Sequence, residues 1–286
     1  MPIEIQVTPR GPYALDLSAR VAGDATRRVR DGVLTAAIEV GGRRETAQAW
    51  QLRNGTVTLR ASTAAAAERL RWMLALDDDH SEFLRRVAAD PLLARTASEL
   101  RGLRQIRTAT VAQSLLRAVS GQLVTWREAR RVERTVIRAV SPAGEDGLST
   151  APTAHALAAA APFELRRLGL HERRAAALVR VCRSLDLERL HALPTAAVVA
   201  RLGRERGLGP WSAGVVCLEG LGRSEHGLVG DLGLIKLLRA LRQRPVEAAE
   251  TAELLAPYDE WAGLAGVYLL AGFSRGLIPV PAARAA

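Results

Sequence analysis

The sequence predicts an α+β protein in which a small N-terminal antiparallel β-sheet precedes a helical domain. Three observations support this fold class. Apolar and polar residues alternate between residues 13 and 21, and Asn54-Gly55 is a typical hairpin dipeptide. From Thr63 onward, alanine, leucine and arginine recur at helical spacing. We therefore expect the strands within residues 1–62 and helices after them.

Each strand prediction depends on a local pattern. A second strand is expected from Val33 to Val40, where apolar residues precede Gly-Gly at 41–42. The Asn54-Gly55 pair favours positive φ at both positions and so predicts a hairpin. The first alternation involves Tyr13, Leu15, Leu17, Ala19 and Val21.

Helical spacing continues to the C-terminus, with breaks at Asp90-Pro91 and in the loop-rich segment 141–155. The helices predicted after the first break cover residues 92–101, 109–120, 125–140, 152–160, 162–168, 172–185, 195–205, 210–221, 231–243, 247–256 and 259–273. We place an N-terminal α+β domain at residues 1–110 and a helical domain at 111–286. Residues 278–286 are expected to form a loose tail.

The charge of the chain favours a nucleic-acid partner. The net charge of +10 comes from arginine, because Lys236 is the only lysine. One guanidinium group can bind two phosphate oxygens at once, so an arginine-rich surface suits nucleic acid. Codon usage can also enrich arginine. The chain has no secretion-signal pattern and no apolar run long enough to span a membrane. We therefore expect a cytoplasmic, nucleoid-associated protein.

Two cysteines, Cys182 and Cys217, lie in apolar helical patterns and are expected in the core. Two thiolates cannot complete a tetrahedral metal site, so no metal is predicted.

The segment RGLGPWSAGVV, residues 206–216, combines a glycine turn with the start of a helix. Gly207 and Gly209 permit left-handed backbone, and Pro210 suits a first helical turn. Free amides at such a start bind phosphate without reading sequence, although an ordinary glycine-capped helix pair has the same pattern. Asp231, in the following VGDLGL, stands where a helix begins, and the simplest interpretation is a helix cap.

GLGPWSA followed by VGDLGL resembles the helix-hairpin-helix and Gly/Pro-Asp signature of the DNA glycosylase superfamily. LLRAVSGQLVTWREARRV, residues 115–132, resembles the Gly-Gln-x-Val-Ser segment of that superfamily, and LGLHERRAAALVRVCRSL, residues 168–185, resembles its Gly-x-x-x-x-Arg-Ala helix. The matches follow the family's order over residues 95–273. With a sheet before the helices, the chain most resembles the 3-methyladenine DNA glycosylase II type, which implies an all-α domain with a cleft.

The resemblance implies a hydrolase that flips an alkylated base out of duplex DNA and cleaves its N-glycosidic bond, which initiates base excision repair. Because the transition state is like an oxocarbenium ion, a carboxylate stabilises it, and Asp231 is the implied catalytic residue. Lyase relatives carry a Schiff-base lysine where this chain has Trp211, which implies a monofunctional enzyme. Two cysteines are too few for the iron–sulfur cluster of some relatives.

The resemblance also assigns contacts with DNA. Leu123 is the implied wedge that fills the gap in the base stack, with Gln122 beside it. Trp211, Phe273 and Val215 are the implied base pocket, and Val215 replaces a tyrosine of some relatives. A core position remains the alternative for Leu123, Trp211 and Phe273. The other implied DNA-binding residues are Thr125, Gly207, Gly209, Pro210, Ser212 and Gly230.

Two other functions remain open at this point. One is a glycosylase for oxidised or deaminated bases on the same scaffold, and the other is a non-catalytic module that binds DNA structure. Few polar residues lie near Trp211 in the sequence, which favours a cationic alkylated base held by cation–π attraction of about 0.5–2 kcal/mol. The expected partner is duplex DNA, bound by a monomer without a cofactor, although some relatives hold a monovalent cation at the hairpin.

Overall fold

The computed structural model describes residues 2–281 and has the predicted fold class. A five-stranded antiparallel sheet precedes a largely helical remainder. The order across the sheet is β1-β5-β4-β3-β2. The strands are β1 (Ile3–Val7), β2 (Arg27–Arg30), β3 (Val33–Val40), β4 (Arg43–Gln51) and β5 (Val57–Ala61).

The hairpin between β4 and β5 is confirmed with a different turn geometry. The Leu52 amide donates to the Thr56 carbonyl at 2.8 Å and closes a three-residue loop. Gly55 takes the left-handed position at φ +89°, as the last residue of such a loop requires. Asn54 instead accepts a hydrogen bond from the Thr56 amide at 3.0 Å. Only the glycine of the pair therefore has positive φ.

The strand predicted over residues 13–21 is wrong. The chain forms helix α1 (Leu15–Ala19) there, and its buried residues are Leu15, Ser18 and Ala19. This is the i, i+3, i+4 spacing of a helix face, whereas Val21 is 62% exposed. The alternating strand lies earlier, in β1, which pairs with β5 from Ile3 to Val7.

The helices predicted after Asp90 are all present, in chain order as α4 to α14. A π-helical turn, Val216–Gly220, follows α11, and 3₁₀ turns cover Val87–Ala89, Leu187–Ala192 and Ala256–Trp261. The helices after α1 are α2 (Ala64–Met73), α3 (Ser81–Arg86), α4 (Ala94–Glu99), α5 (Val111–Gly121), α6 (Trp126–Val140), α7 (Ala154–Ala159), α8 (Pro162–Arg167), α9 (Glu172–Ser184), α10 (Thr195–Gly203), α11 (Pro210–Val215), α12 (Leu232–Arg242), α13 (Glu250–Leu255) and α14 (Ala262–Ser274).

Three buried apolar clusters hold these elements together. The first lies between the sheet and α2, and the second joins α5 and α6 with α7 to α11. The third joins α3 and α4 with α12 to α14. Helix α5 and the segment from α11 to the π-turn contribute to both helical clusters, so the two clusters meet along them.

The predicted domain boundary between residues 110 and 111 stays a prediction. Helices α3 and α4, which precede it, pack with the C-terminal helices instead of with the sheet. Of the predicted tail at 278–286, residues 282–286 lie outside the described part of the chain. Both cysteines are buried, as expected, and burial raises the pKa of each thiol to about 12. Within residues 2–281, no helix has the length and apolar character needed to cross a membrane.

A buried ionic network joins the segment before β2 to α5, α6 and the π-turn. Arg117 of α5 lies 2.7 Å from a carboxylate oxygen of Asp24, before β2, and 2.9 Å from one of Glu133 on α6. It also pairs with Glu219 of the π-turn. Asp24 and Glu133 side chains are 2% and 1% exposed. Burial alone would raise the pKa of Asp24, but Arg27 and Arg117 hold it below its ordinary value.

Candidate active site

In the turn between α10 and α11, Gly207 has left-handed backbone, whereas Gly209 is extended with a φ of −106°. Gly207 has a φ of +96°, and a Cβ there would lie 3.3 Å from Ala177 of α9. Gly209 caps α11 without a side chain, and Pro210 occupies the first turn. Gly207, Gly209 and Pro210, which form the turn of the helix-hairpin-helix segment, are all exposed. The first amides of a helix have no acceptor inside it, which is the feature on which the predicted phosphate contact depends.

Gln122 ties the loop after α5 to this hairpin. Its Nε2 donates to the Gly207 carbonyl at 2.9 Å and to Ser212 Oγ at 3.0 Å. Ser212 is 2% exposed and its hydroxyl accepts from Gln122, so little of its surface is open, and its contact with DNA stays a prediction. The hairpin and the loop Gln122–Thr125 are therefore held together.

Leu123 projects from that loop into solvent. Its side chain is 84% exposed, which excludes the core position that the sequence left open. Its φ of +54° lies in the left-handed region, which is uncommon for leucine and directs the side chain outward from a tight turn. Thr125 is exposed and caps α6, where its hydroxyl accepts from the Glu128 amide at 3.3 Å.

Asp231 has two sets of hydrogen bonds at the start of α12. Its Oδ1 accepts from the amides of Gly233 at 2.7 Å and Leu234 at 3.2 Å, which is a helix cap. Its Oδ2 accepts from Trp211 Nε1 at 2.9 Å. Asp231 is half-buried. The cap predicted as the simplest interpretation is present, and one oxygen faces the hairpin helix.

Two further glycines, Gly230 and Gly121, lie next to Asp231 and Trp211. Gly230 has a φ of +86°, and its amide donates to Thr251 Oγ1 at 2.7 Å. That amide is therefore already bonded, and the predicted contact of Gly230 with DNA stays a prediction. At the end of α5, a Cβ on Gly121 would lie 2.7 Å from Trp211 Cη2. The absence of a side chain at Gly121 lets the Trp211 ring lie against α5.

The hairpin, the exposed loop and the carboxylate thus form one site at the junction of the two helical clusters. No family model matches the chain. In sequence it is 27% identical over 205 residues to the DNA-3-methyladenine glycosylase of Bacillus subtilis (strain 168), over 68% of this chain and 67% of that protein. In structure it is similar to the 3-methyladenine DNA glycosylase of Archaeoglobus fulgidus, with a TM-score of 0.83, 19% identity and coverage of 95% and 98% of the two chains.

An 8-oxoguanine glycosylase/lyase of Clostridium acetobutylicum, solved with duplex DNA containing cytosine opposite 8-oxoguanine, has a TM-score of 0.76. It is 14% identical and covers 96% of this chain and 98% of that one. The chain has the fold of the helix-hairpin-helix DNA glycosylases. Sequence and fold together support a DNA glycosylase that binds DNA.

Of the three residues that the resemblance assigns to a base pocket, two are partly exposed and one is buried. Trp211 and Phe273 are half-buried, at the edge of the third apolar cluster. Val215 is 4% exposed and belongs to that cluster itself, so it lies in the core instead of on a pocket surface. The sequence-based reasoning missed Gly121 and Thr251. Gly121 stands inside the matched segment SGQLVT, whereas no local signal marks Thr251.

We predict that Trp211→Phe slows base excision by about 10- to 100-fold, because the indole hydrogen bond to a charged carboxylate contributes about 1.5–3 kcal/mol. Single-turnover rates of base release would measure this. Trp261→Phe is the matched control, since Trp261 Nε1 is buried without a hydrogen-bond partner among residues 2–281. Equal rates for wild type and Trp211→Phe would show that Asp231 needs no support from the indole.

Proposed function

We propose that the chain is a monofunctional DNA glycosylase that flips alkylated bases, such as 3-methyladenine, out of duplex DNA and hydrolyses the N-glycosidic bond. In this role it initiates base excision repair. The main observation behind the proposal is the hydrogen bond from Trp211 Nε1 to Asp231 Oδ2, with a distance of 2.9 Å. A carboxylate stands at the helix start, and an indole occupies the place where the resemblance puts the lyase lysine.

Asp231 has the surroundings of a carboxylate that acts by its charge. The amides at the start of α12 and the indole N–H donate to it, and it lies at the positive end of the helix dipole. An ionised carboxyl group has about four lone-pair directions. Three are used, so one remains to face the sugar as positive charge develops there.

The chain offers no lysine at the position a lyase would use. Lys236, its only lysine, is exposed on α12, about one turn beyond Asp231. Trp211 cannot form a Schiff base with the abasic sugar. The proposed reaction therefore ends after base release, with the DNA backbone intact.

The base and its neighbours in the duplex require separate contacts. Leu123 is the proposed wedge, since an exposed apolar side chain on a tight turn can enter the stack and kink the duplex. The hairpin amides bind a phosphate near the lesion. Trp211 and Phe273 stack on a cationic alkylated base. A monomeric state, a nucleoid location and a cation at the hairpin stay predictions.

The deciding experiment compares two classes of lesion. Methylated duplex DNA and a duplex with one 8-oxoguanine are incubated with the protein, and released bases are identified by chromatography. We expect release of methylated purines and strand breaks only after alkali. Preferential release of 8-oxoguanine would overturn the substrate class, and no release from either would favour a binding module.

A second readout tests the absence of lyase activity. Borohydride traps a Schiff base as a covalent complex with DNA, and we expect none. The Lys236→Ala variant should release bases at the wild-type rate. Trapping that disappears in Lys236→Ala would show that this lysine supplies the amine and that the enzyme is bifunctional.

A further inference from the structure

Trp126, at the start of α6, is exposed to an extent unusual for tryptophan. Its side chain is 61% exposed and lies three residues beyond Leu123. Three residues of chain span at most about 10 Å, so both side chains can reach one lesion site. A single exposed apolar side chain is ordinary, but large exposed apolar side chains that lie close together often mark a binding surface.

One face of the Trp126 ring is supported by a fixed cation. The Arg130 guanidinium lies 5.7 Å from the ring centroid. Arg130 Nη1 in turn donates to Glu133 Oε2 at 3.0 Å, and the Glu133 side chain is 1% exposed in the ionic network of Arg117. The indole is therefore held in place before any partner binds, which lowers the entropic cost of stacking on it.

The charge around Trp126 identifies the partner as nucleic acid. Arg127 and Arg131, one helical turn apart, are both exposed on α6. Neither forms an ion pair within residues 2–281, unlike the exposed or half-buried Arg85, Arg86, Arg95 and Arg242. An exposed aromatic side chain with unpaired guanidinium groups on the same helix suits a base with its adjacent phosphates.

We propose that Trp126 is a second stacking residue, which contacts the base left unpaired on the opposite strand when the target base is flipped. This inference rests on the proposed base-flipping function. Leu123 fills the position of the flipped base, while the partner base has lost its hydrogen bonds and presents its face to a side chain. The two residues together hold the opened duplex.

The test uses a duplex with an abasic-site analogue opposite 2-aminopurine, whose emission falls when it stacks on an indole. Wild-type protein is expected to quench this emission and to bind the duplex more tightly than an intact one. Trp126→Ala should bind it about tenfold more weakly and leave the emission high. Trp126→Phe should restore most of the affinity.

Phe163→Ala is the matched control, because Phe163 is a 60% exposed aromatic near the start of another helix, α8. Its binding and quenching should equal those of wild type. Wild-type affinity and quenching in Trp126→Ala would overturn the inference and leave the glycosylase proposal intact. A wild type with no preference for the abasic duplex would instead contradict base flipping. Loss of self-association in Trp126→Ala without a change in DNA binding would make Trp126 a contact between copies and also overturn it.

Discussion

Asp231→Asn is expected to slow base excision by about 10²–10³-fold or more with little change in affinity for DNA. The substitution keeps the shape of the side chain and removes the negative charge that stabilises the oxocarbenium-like transition state. Asparagine caps helices as well as aspartate does, so α12 should still form. The loss would therefore be in the chemical step.

Two measurements separate chemistry from binding. Single-turnover base release gives the rate, and titration with a duplex that carries an abasic-site analogue gives the affinity. We expect only the first to change strongly. Unchanged base release in Asp231→Asn would remove Asp231 from the catalytic role and favour a purely structural cap.

Asp90→Asn provides a closely matched control. Asp90 Oδ1 also caps two backbone amides, those of Leu92 and Leu93 at 2.8 Å each. Its Oδ2 also accepts from an aromatic side chain, the Tyr258 hydroxyl at 3.2 Å. The two aspartates thus have the same kinds of hydrogen bond in different places. Asp90→Asn should keep the wild-type excision rate, so a similar loss in both variants would indicate damage to the fold.

Much of the site could be predicted because its signals are local. Glycine and proline fix the turn of the hairpin, and an aspartate before an apolar helix predicts a cap, as the structure has at Asp231. The cap and the catalytic proposal are compatible, since one carboxylate oxygen serves the helix and the other faces Trp211. The hydrogen bond between Trp211 and Asp231 joins residues that are 20 positions apart in the sequence, so no local pattern could predict it.

The errors came from contacts that sequence periodicity cannot represent. Strand β2 was missed because its buried member is Arg27, whose Nε donates to the Ala22 carbonyl at 2.8 Å. A charged residue breaks the apolar pattern on which strand prediction depends. The resemblance assigned Ser212 to DNA, yet Gln122, from another helix end, donates a hydrogen bond to its hydroxyl.

Arg117→Met is expected to lower the free energy of unfolding by about 3–5 kcal/mol, because it removes one cation from a buried network of carboxylates. Asp24, Glu133 and Glu219 all pair with Arg117. Arg27 and Arg130 remain beside two of them but are too few to neutralise the set. Because Asp24 precedes β2 while Glu133 lies on α6, the loss should affect both the sheet side and the helices.

Urea denaturation of Arg117→Met as a function of pH tests the cause of this loss. In wild type the pKa of Asp24 is held below its ordinary value, so its contribution is present above the ordinary pKa and is lost as pH falls through the lowered one. Without Arg117, the buried Asp24 carboxyl group holds its proton more tightly in the folded state, because burial raises its pKa and one of the cations that lower it is gone. Acid should therefore destabilise the variant less than wild type, and the two should converge at low pH.

Arg138→Met on α6 is the control for charge, since Arg138 is exposed and forms no ion pair within residues 2–281; it should change stability by less than about 0.5 kcal/mol. Arg117→Lys restores the charge but loses the planar fork that reaches three carboxylates, so it should recover only part of the stability. If Arg117→Met instead lowers the free energy of unfolding by the same amount at every pH, as a cavity in an apolar core would, then Arg117 stabilises the fold by packing and not by its charge.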